Sequence, residues 1–113
     1  MFGVVLTEGL LDWLVLSSWN YPACATLGGH GLERVVKRLE GVKYIFLAFD
    51  ADTTGKREAE TIKSLLSAKV ANLSMPEGVK DVADLANVDD GQQLFHRILT
   101  EAIDIQIRGE NGR

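Results

Sequence analysis

The sequence holds a single cysteine, Cys24, so no internal disulfide can form. Its small apolar neighbours Ala23 and Ala25 suggest a buried thiol kept reduced, and a cytoplasmic location is expected. No apolar run approaches the ~20 residues that cross a bilayer, which excludes a spanning helix and leaves no membrane partner to expect. The N-terminus has neither a basic start nor a small-residue cleavage site, so no secretory signal is expected. Positive charge is scarce as well: 12 Lys and Arg face 16 Asp and Glu, for a net charge of −4. Affinity for nucleic acid comes largely from cations neutralising phosphates, so the chain alone is not expected to be a strong nucleic-acid binder. Neither an internal repeat nor a low-complexity linker is visible. The two histidines, His30 and His96, have no Cys or acid at zinc-ligand spacing and read as structural or surface residues.

What is present is a globular composition. The chain has 113 residues, of which 46% are hydrophobic and 25% charged. That length suits one domain, and roughly two-thirds of the unfolded surface can be buried without a structural metal. Residues 1–88 read as the core of the domain, and 89–113 as a last helix and frayed tail packed on it.

The pattern alternates strand and helix. Phe2 to Thr7 is a short apolar, β-branched run that ends at Glu8-Gly9, as a buried parallel strand ends in a turn. Leu10 to Ser18 carries Leu10, Leu11, Leu14, Val15 and Leu16 at helical spacing. Tyr21 to Thr26 reads as a second strand closed by Gly28-Gly29, and a helix from Leu32 stops at Gly41. Lys43 to Phe49 is apolar nearly throughout and belongs at the centre of a sheet. A helix follows Gly55 and reaches Ala68, then a short strand spans Val70 to Met75. A short helix over Asp81 to Asn87 precedes the last one, Gln92 to Ile107, whose inner face is read as Leu94, Phe95, Ile98, Leu99, Ile103 and Ile107. The order predicts an α/β fold: about four parallel strands with helices on both faces, joined by right-handed crossovers.

Ligands of open parallel sheets bind at the carboxyl ends of the strands. The first strand ends at Glu8, the third at Asp50 and Asp52, and Asp81 lies in the loop after the fourth. Acids from three segments therefore converge on one sheet edge. Clustered carboxylates repel unless a cation lies among them. Mg²⁺ suits such a set, because it takes oxygen ligands, needs few carboxylates and keeps waters to exchange for phosphates.

These segments carry a resemblance. EGLLD (Glu8 to Asp12) resembles the first motif of TOPRIM domains, and FDADTTGKREA (Phe49 to Ala59) the second. ATLGG (Ala25 to Gly29) and MPEGVKDVADL (Met75 to Leu85) are similar to segments of DnaG-type and phage or mobile-element primases. The resemblance covers about residues 2 to 87, in the family's order. It implies a single Rossmann-like TOPRIM domain with metal-linked roles for Glu8, Asp12, Asp50, Asp52 and Asp81. Asp50, Asp52, Asp81 and Glu8 would hold Mg²⁺, with Mn²⁺ as a substitute, and Glu8 and Asp12 would serve catalysis. It implies nucleotidyl transfer in primer synthesis, with nucleotides and a single-stranded DNA template and primer as partners. Further primase domains or replication proteins would be needed, since a zinc-binding template module and a basic DNA-gripping domain do not fit in this length. A small TOPRIM nuclease and a non-catalytic binding module are the alternatives. The chain departs from the primase pattern at Thr54, where Ala is common, at Val82, where Pro is common, and at Ala83, where a further acid is common. Asp84, one place later, substitutes for that acid or faces water.

Each residue also has a plainer reading. Glu8 could favour the dipole of the following helix, and Asp12 could be a helix-surface acid or a partner of a ligand. Asp50 and Asp52 could cap a helix start, although period-two spacing would point both the same way if strand geometry persists. Gly9 and Gly55 permit tight turns or close backbone approach to a phosphate. Lys56 and Arg57 lie near a helix start, where the dipole disfavours cations, and with Lys80 they are candidates for substrate phosphates. Trp13, Trp19 and Tyr21 could stack bases, but core or partner packing suits their positions better.

Overall fold

The structure, a computed structural model, describes residues 3–27, 32–50 and 53–111, without the side chains of 53, 54, 110 and 111. Strand β1 (Gly3–Thr7) lies between β2 (Ala23–Ala25) and β3 (Tyr44–Ala48), and β4 (Lys69–Asn72) pairs with the far side of β3. Every pairing is parallel. Helix α1 (Leu10–Ser18) links β1 to β2, α2 (Leu32–Arg38) precedes β3, and α3 (Thr53–Leu65) precedes β4. The short α4 (Val82–Leu85) and the long α5 (Gly91–Asn111) complete the chain.

The two central strands are apolar because both of their faces are covered. All five residues of β3 are buried. Their side chains alternate: Tyr44, Phe46 and Ala48 join Val5, Leu16, Val82, Leu85 and Phe95 in one core. Ile45 and Leu47 join Val4, Leu6, Val35, Leu39, Ala59 and Ile62 in the other. Thus α1, α4 and α5 cover one face and α2 and α3 the opposite one. At about 1.5–3 kcal/mol per fully buried large apolar side chain, these two layers supply most of the drive to fold.

The outer strands are shorter than their sequence patterns suggest. Tyr21 and Pro22 fall outside β2, although the Pro22 carbonyl still accepts from Val5 N (3.0 Å) and Thr26 N donates to Thr7 O (2.9 Å). β4 stops at Asn72, with one more rung from Leu73 N to Leu47 O (2.8 Å). Gly41, at φ +83°, takes the left-handed conformation that the stop after α2 requires. The Gly28-Gly29 turn, His30 and the end of the tail lie outside the described residues.

Three expectations about the helices are corrected. In α1, Leu10, Leu11 and Leu14 are exposed. The buried positions are Asp12 and Leu16, one turn apart, so the stripe facing the protein passes through the acid and the leucines turn outward. In α5, Ile107 is 37% exposed and lies outside the core, because the helix there has run beyond the surface it packs on. The tail segment that was expected to fray from Gly109 is helical to Asn111. Phe95 is fully buried, with the Trp19 ring tilted against it and the Tyr21 ring edge-on, at centroid distances of 6.0 and 5.1 Å. Trp13 pins α1 to β2 through its indole N–H and the Ala23 carbonyl (3.0 Å). These aromatics therefore serve packing.

Candidate metal centre

The order β2-β1-β3-β4 places a topological switch between β1 and β3: the connection through α1 leads one way, that through α3 the other. Open sheets part at such a point beyond the strand ends, and ligands bind there. Glu8 follows β1 and Asp50 follows β3, so both sit at the switch. Glu8 Oε1 accepts a 2.6 Å hydrogen bond from Asp50 N and thereby ties the two strand ends together. Buried Thr7 steadies the turn beside it by donating its hydroxyl to the Gly9 carbonyl (3.1 Å). Gly9, exposed, is the N-cap of α1.

Asp12, one turn into α1, reaches back to the same place. It is 7% exposed, and its Oδ1 accepts from Ala83 N at 2.8 Å. Asp81 arrives from the opposite side as the N-cap of α4, where its Oδ1 accepts from Asp84 N (2.7 Å). Asp84 returns the favour through Oδ2, which accepts from Lys80 N (3.0 Å). This reciprocal capping fixes the α4 start and turns one carboxylate oxygen of Asp84 to the backbone of its own turn.

Asp12, Asp50 and Asp81 each offer a carboxylate oxygen within 4.8 Å of the others. A cleft of about 410 Å³ opens over them, with Glu8 on its wall and exposed Leu10 and Leu11 at its rim. Burial raises the pKa of Asp12 above its ordinary value of 3.8; the Ala83 N–H opposes the shift, and the charges of Asp81 and Asp50 add to it. The site thus gathers negative charge in a partly dehydrated place. An all-oxygen donor set of this kind fits a hard divalent cation, which would remove the repulsion the carboxylates impose on one another.

The other candidates are placed as follows. Asp52 lies outside the described residues. β3 ends at Ala48, two residues before Asp50, and α3 begins at Thr53. α3 starts before Gly55 rather than after it, and Gly55 is buried in its first turn. A Cβ at Gly55 would lie 2.1 Å from the Asp50 carbonyl oxygen and 3.2 Å from Glu8 Oε1. The glycine therefore admits the strand end, a partner that the sequence reading did not identify. Lys56, Arg57 and Lys80 are exposed. Lys56 and Lys80 line a second cavity beside Asp50, and Arg57 does not. Sequence reasoning also missed Ala83, whose contribution is a backbone N–H. The spacing Asp81-x-x-Asp84 was the available signal, because it marks a capped helix start.

A parallel α/β sheet with acids gathered at its switch point is an arrangement suited to a divalent cation. The profile of the Toprim-like family matches residues 5–86, and the chain belongs to that family. Its fold is similar to that of the primase fragment of the bacteriophage T7 primase-helicase protein (TM-score 0.64, 22% identity, covering 90% of this chain and 44% of that one). It is likewise similar to the Aquifex aeolicus primase with its zinc-binding and RNA polymerase domains (TM-score 0.65, 20% identity, 88% and 26% covered). A small TOPRIM domain protein from Bacillus stearothermophilus matches along most of both chains (TM-score 0.60, 23% identity, 86% and 85% covered). The chain spans less than half the length of the two primase chains. No curated protein sequence matches it. Among the described residues, no helix is long and apolar enough to cross a membrane.

Proposed function

We propose that this chain is the Mg²⁺-dependent TOPRIM module of a primase-like protein, which transfers nucleotides to a growing primer during DNA replication. The observation that carries the reading is the meeting of Asp12, Asp50 and Asp81 within 4.8 Å at the switch point of a primase-like sheet. Asp50 and Asp81 would hold Mg²⁺, or Mn²⁺ in its place, together with Asp52 and Glu8; Asp12 would join them or orient them. When bound, the cation supplies charge neutralisation for nucleotide phosphates and lowers the cost of forming an oxyanion. Glu8, anchored through Oε1 to Asp50 N, would receive at its carboxylate the proton of the primer 3′-hydroxyl. The hydroxyl oxygen bonds to the α-phosphorus as the bond to pyrophosphate breaks. Asp12 serves by holding Ala83 and with it the α4 turn that presents Asp81. Gly55 lets the start of α3 approach the Asp50 backbone, while Lys56, Arg57 and Lys80 would face incoming phosphates. Single-stranded DNA would be gripped by other primase domains or replication proteins, since the net charge of −4 opposes binding by this chain alone.

Calorimetric titration tests the reading. Wild-type protein should take up Mn²⁺ and Mg²⁺, and an Asp50→Asn/Asp52→Asn variant of equal stability should not. Retained binding in that variant, or retained primer synthesis by Asp50→Asn in the presence of the remaining primase domains, would overturn it.

A second reading has an observation of its own. The small TOPRIM protein of similar extent favours a self-standing unit, in which the same acids would serve hydrolysis of DNA or RNA. Cleavage of either polymer with Mn²⁺, lost in Asp50→Asn, distinguishes it. The third alternative, a binding module, loses one of its supports: the last helix, α5, is packed into the core through Phe95 rather than offered to a partner.

A further inference from the structure

β4 is an edge strand, paired with β3 on one side only. Lys69 N donates to Lys43 O and Leu73 N to Leu47 O, so the N–H and C=O groups of Val70 and Asn72, between them in the alternation, point outward. Among the described residues no backbone group meets them there. Such an edge is a template for another strand. The helices on both sides of it are open as well. Phe95 anchors α5 in the core, and beside it Leu99 and Ile103 turn toward β1, where they line an apolar cavity with Gly3, Val5 and Phe46. Leu94, Ile98 and Ile105 lie about 140° around the helix from that pair. α5 also touches β4, so this second apolar flank leans toward the open edge. Ile105, at its end, is 69% exposed. On α3, exposed Lys56 lines a cavity with Asn72, so the flank that runs from Lys56 through Glu60 to Lys63 faces the β4 side too.

We infer that the β4 edge is a self-association surface, occupied by β4 of a second copy of this chain. A two-fold axis through Ala71, normal to the sheet, sets Val70 opposite Asn72 of the partner subunit and Asn72 opposite Val70 of the partner subunit. Each of these pairs exchanges two backbone bonds. Ala71 meets its own counterpart on the axis, where side chains come closest and a methyl group fits. Lys69, a charge of the kind that keeps edges apart, falls opposite Leu73 of the partner subunit. Val70 packs with α3 on one face and Ala71 with α5 on the other, so both helices cover the β4 side of the sheet. Strands lie about 4.8 Å apart, so helices riding over β3 and β4 of each copy would stand about 10 Å from their counterparts, the spacing of packed helices. On one face Ile98 and Ile105 would close an apolar seam. On the other, the axis crosses α3 about one turn before its end, between Glu60 and Lys63. Each Glu60 then faces Lys63 of the partner subunit, whereas within one chain the two lie only at the 4.0 Å limit of an ion pair. This match of the chain's own charges favours a second copy as occupant, against the general repulsion of a net charge of −4. The edge bonds alone bury little, and the helix pairs on both faces bring the contact toward the about 800 Å² per partner of stable complexes. The paired strands run antiparallel, so the two acidic clefts open at opposite edges of the joined sheet and neither is covered.

Light scattering of the full chain on a sizing column, from about 5 to 500 µM, tests this pairing. The expected result is a dimer whose population rises with concentration. Asn72→Pro removes an outward N–H and leaves the ladder to β3 intact, and should weaken the dimer about tenfold or more, as should Ile105→Lys. Both side chains are exposed, so the variants should fold, which unchanged urea midpoints at low concentration would verify. The charges give a further arm. Glu60→Lys and Lys63→Glu should each weaken the dimer, and an equimolar mixture of the two should restore it, because only two different copies then bring unlike charges together. Within a single chain neither variant recovers its own pair. A wild type that stays monomeric at the highest concentration, or a mixture no more associated than its components, would overturn the inference. So would a dimer that is untouched by Asn72→Pro and Ile105→Lys but lost in Leu11→Ser, which would place the contact on the exposed leucines of α1.

Discussion

Replacing Asp12 with asparagine should stabilise the cation-free protein at neutral pH, although it alters a residue at the centre of the site. Asparagine keeps the shape and can still accept the Ala83 N–H that Asp12 accepts at 2.8 Å. It removes a buried negative charge whose oxygen lies within 4.8 Å of those of Asp50 and Asp81. At that separation two unit charges repel by roughly 1 kcal/mol in a water-like medium and by about 3.5 kcal/mol at an effective dielectric of 20. Asp50 and Asp81 are only half-buried, so the lower part of that range applies to each pair. Against the relief stands the weakening of one hydrogen bond from charged to neutral, about 1 kcal/mol. The balance favours the variant by about 1–2 kcal/mol, or roughly 4–8 °C in melting temperature. The pH dependence gives the sharper check. Burial raises the folded pKa of Asp12 above 3.8, so the folded state holds its proton more tightly than the unfolded one. Below 3.8 both states are protonated and the wild type carries no penalty. As pH rises through the raised value the penalty develops, then stays constant. Urea titrations of both proteins with EDTA, from pH 3.5 to 7.5, should show the difference opening in that direction. Millimolar Mg²⁺ should close or reverse it by stabilising the wild type alone. A variant less stable than wild type at pH 7, by a margin that does not change with pH, would refute the electrostatic argument.

Gly55→Ala should cost about 1–3 kcal/mol in urea denaturation, because its Cβ would lie 2.1 Å from the Asp50 carbonyl oxygen. Gly9→Ala is the matching control: nothing lies within 4 Å of its Cβ and its φ of −107° suits any residue, so its midpoint should stay near wild type. Phe95→Ala should cost about 3–5 kcal/mol and unfold the chain in one transition, since the ring is fully buried in the core shared with β1 and β3. A separate early transition for α5 in that variant would show that residues 89–113 form an appendage.

Some of this was legible in the sequence because the signal and the cause coincide. YIFLA is apolar throughout since both sides of β3 are covered, and that pattern predicts a central strand. Glu8, Asp50 and Asp81 could be gathered from strand ends alone, as a parallel sheet brings those ends to one edge. The orientation of α1 was not legible. Leu10, Leu11 and Leu14 share helical spacing with Leu16, and the tethers from Asp12 to Ala83 and from Trp13 to Ala23 mark the side that turns inward. An acid on the inner stripe contradicts the pattern that hydropathy reads, so it misleads at the site itself. Gly55 was read as permitting a tight turn or the close approach of a phosphate, and its close neighbour is the backbone of Asp50, five residues earlier. Asp84 could face a metal or water on spacing alone; what spacing does not show is that its Oδ2 accepts from Lys80 N while its own N–H donates to Asp81.

The hydrogen bonds of the acids help to hold like charges together. Glu8 accepts from Asp50 N, Asp12 from Ala83 N and Asp81 from Asp84 N, at 2.6, 2.8 and 2.7 Å. Bonds from backbone N–H to a carboxylate are stronger than neutral ones and favour the ionised form. Each bond also fixes a different piece: Glu8 joins the ends of β1 and β3, Asp12 joins α1 to α4, and Asp81 starts α4. The carboxylates are therefore held by the backbone, while the two apolar cores hold the backbone. One N–H does not exhaust a carboxylate, which has about four acceptor positions. The same side chains can thus serve the fold and a cation at once, and the arrangement need not be built when the cation arrives. Truncating an acid and neutralising it are then different experiments. Alanine removes both the tether and the charge, whereas asparagine or glutamine keeps an acceptor for the backbone and removes only the charge. Loss of metal affinity with unchanged folding in the amide variants would assign the charge to binding; equal loss of both would assign it to the fold.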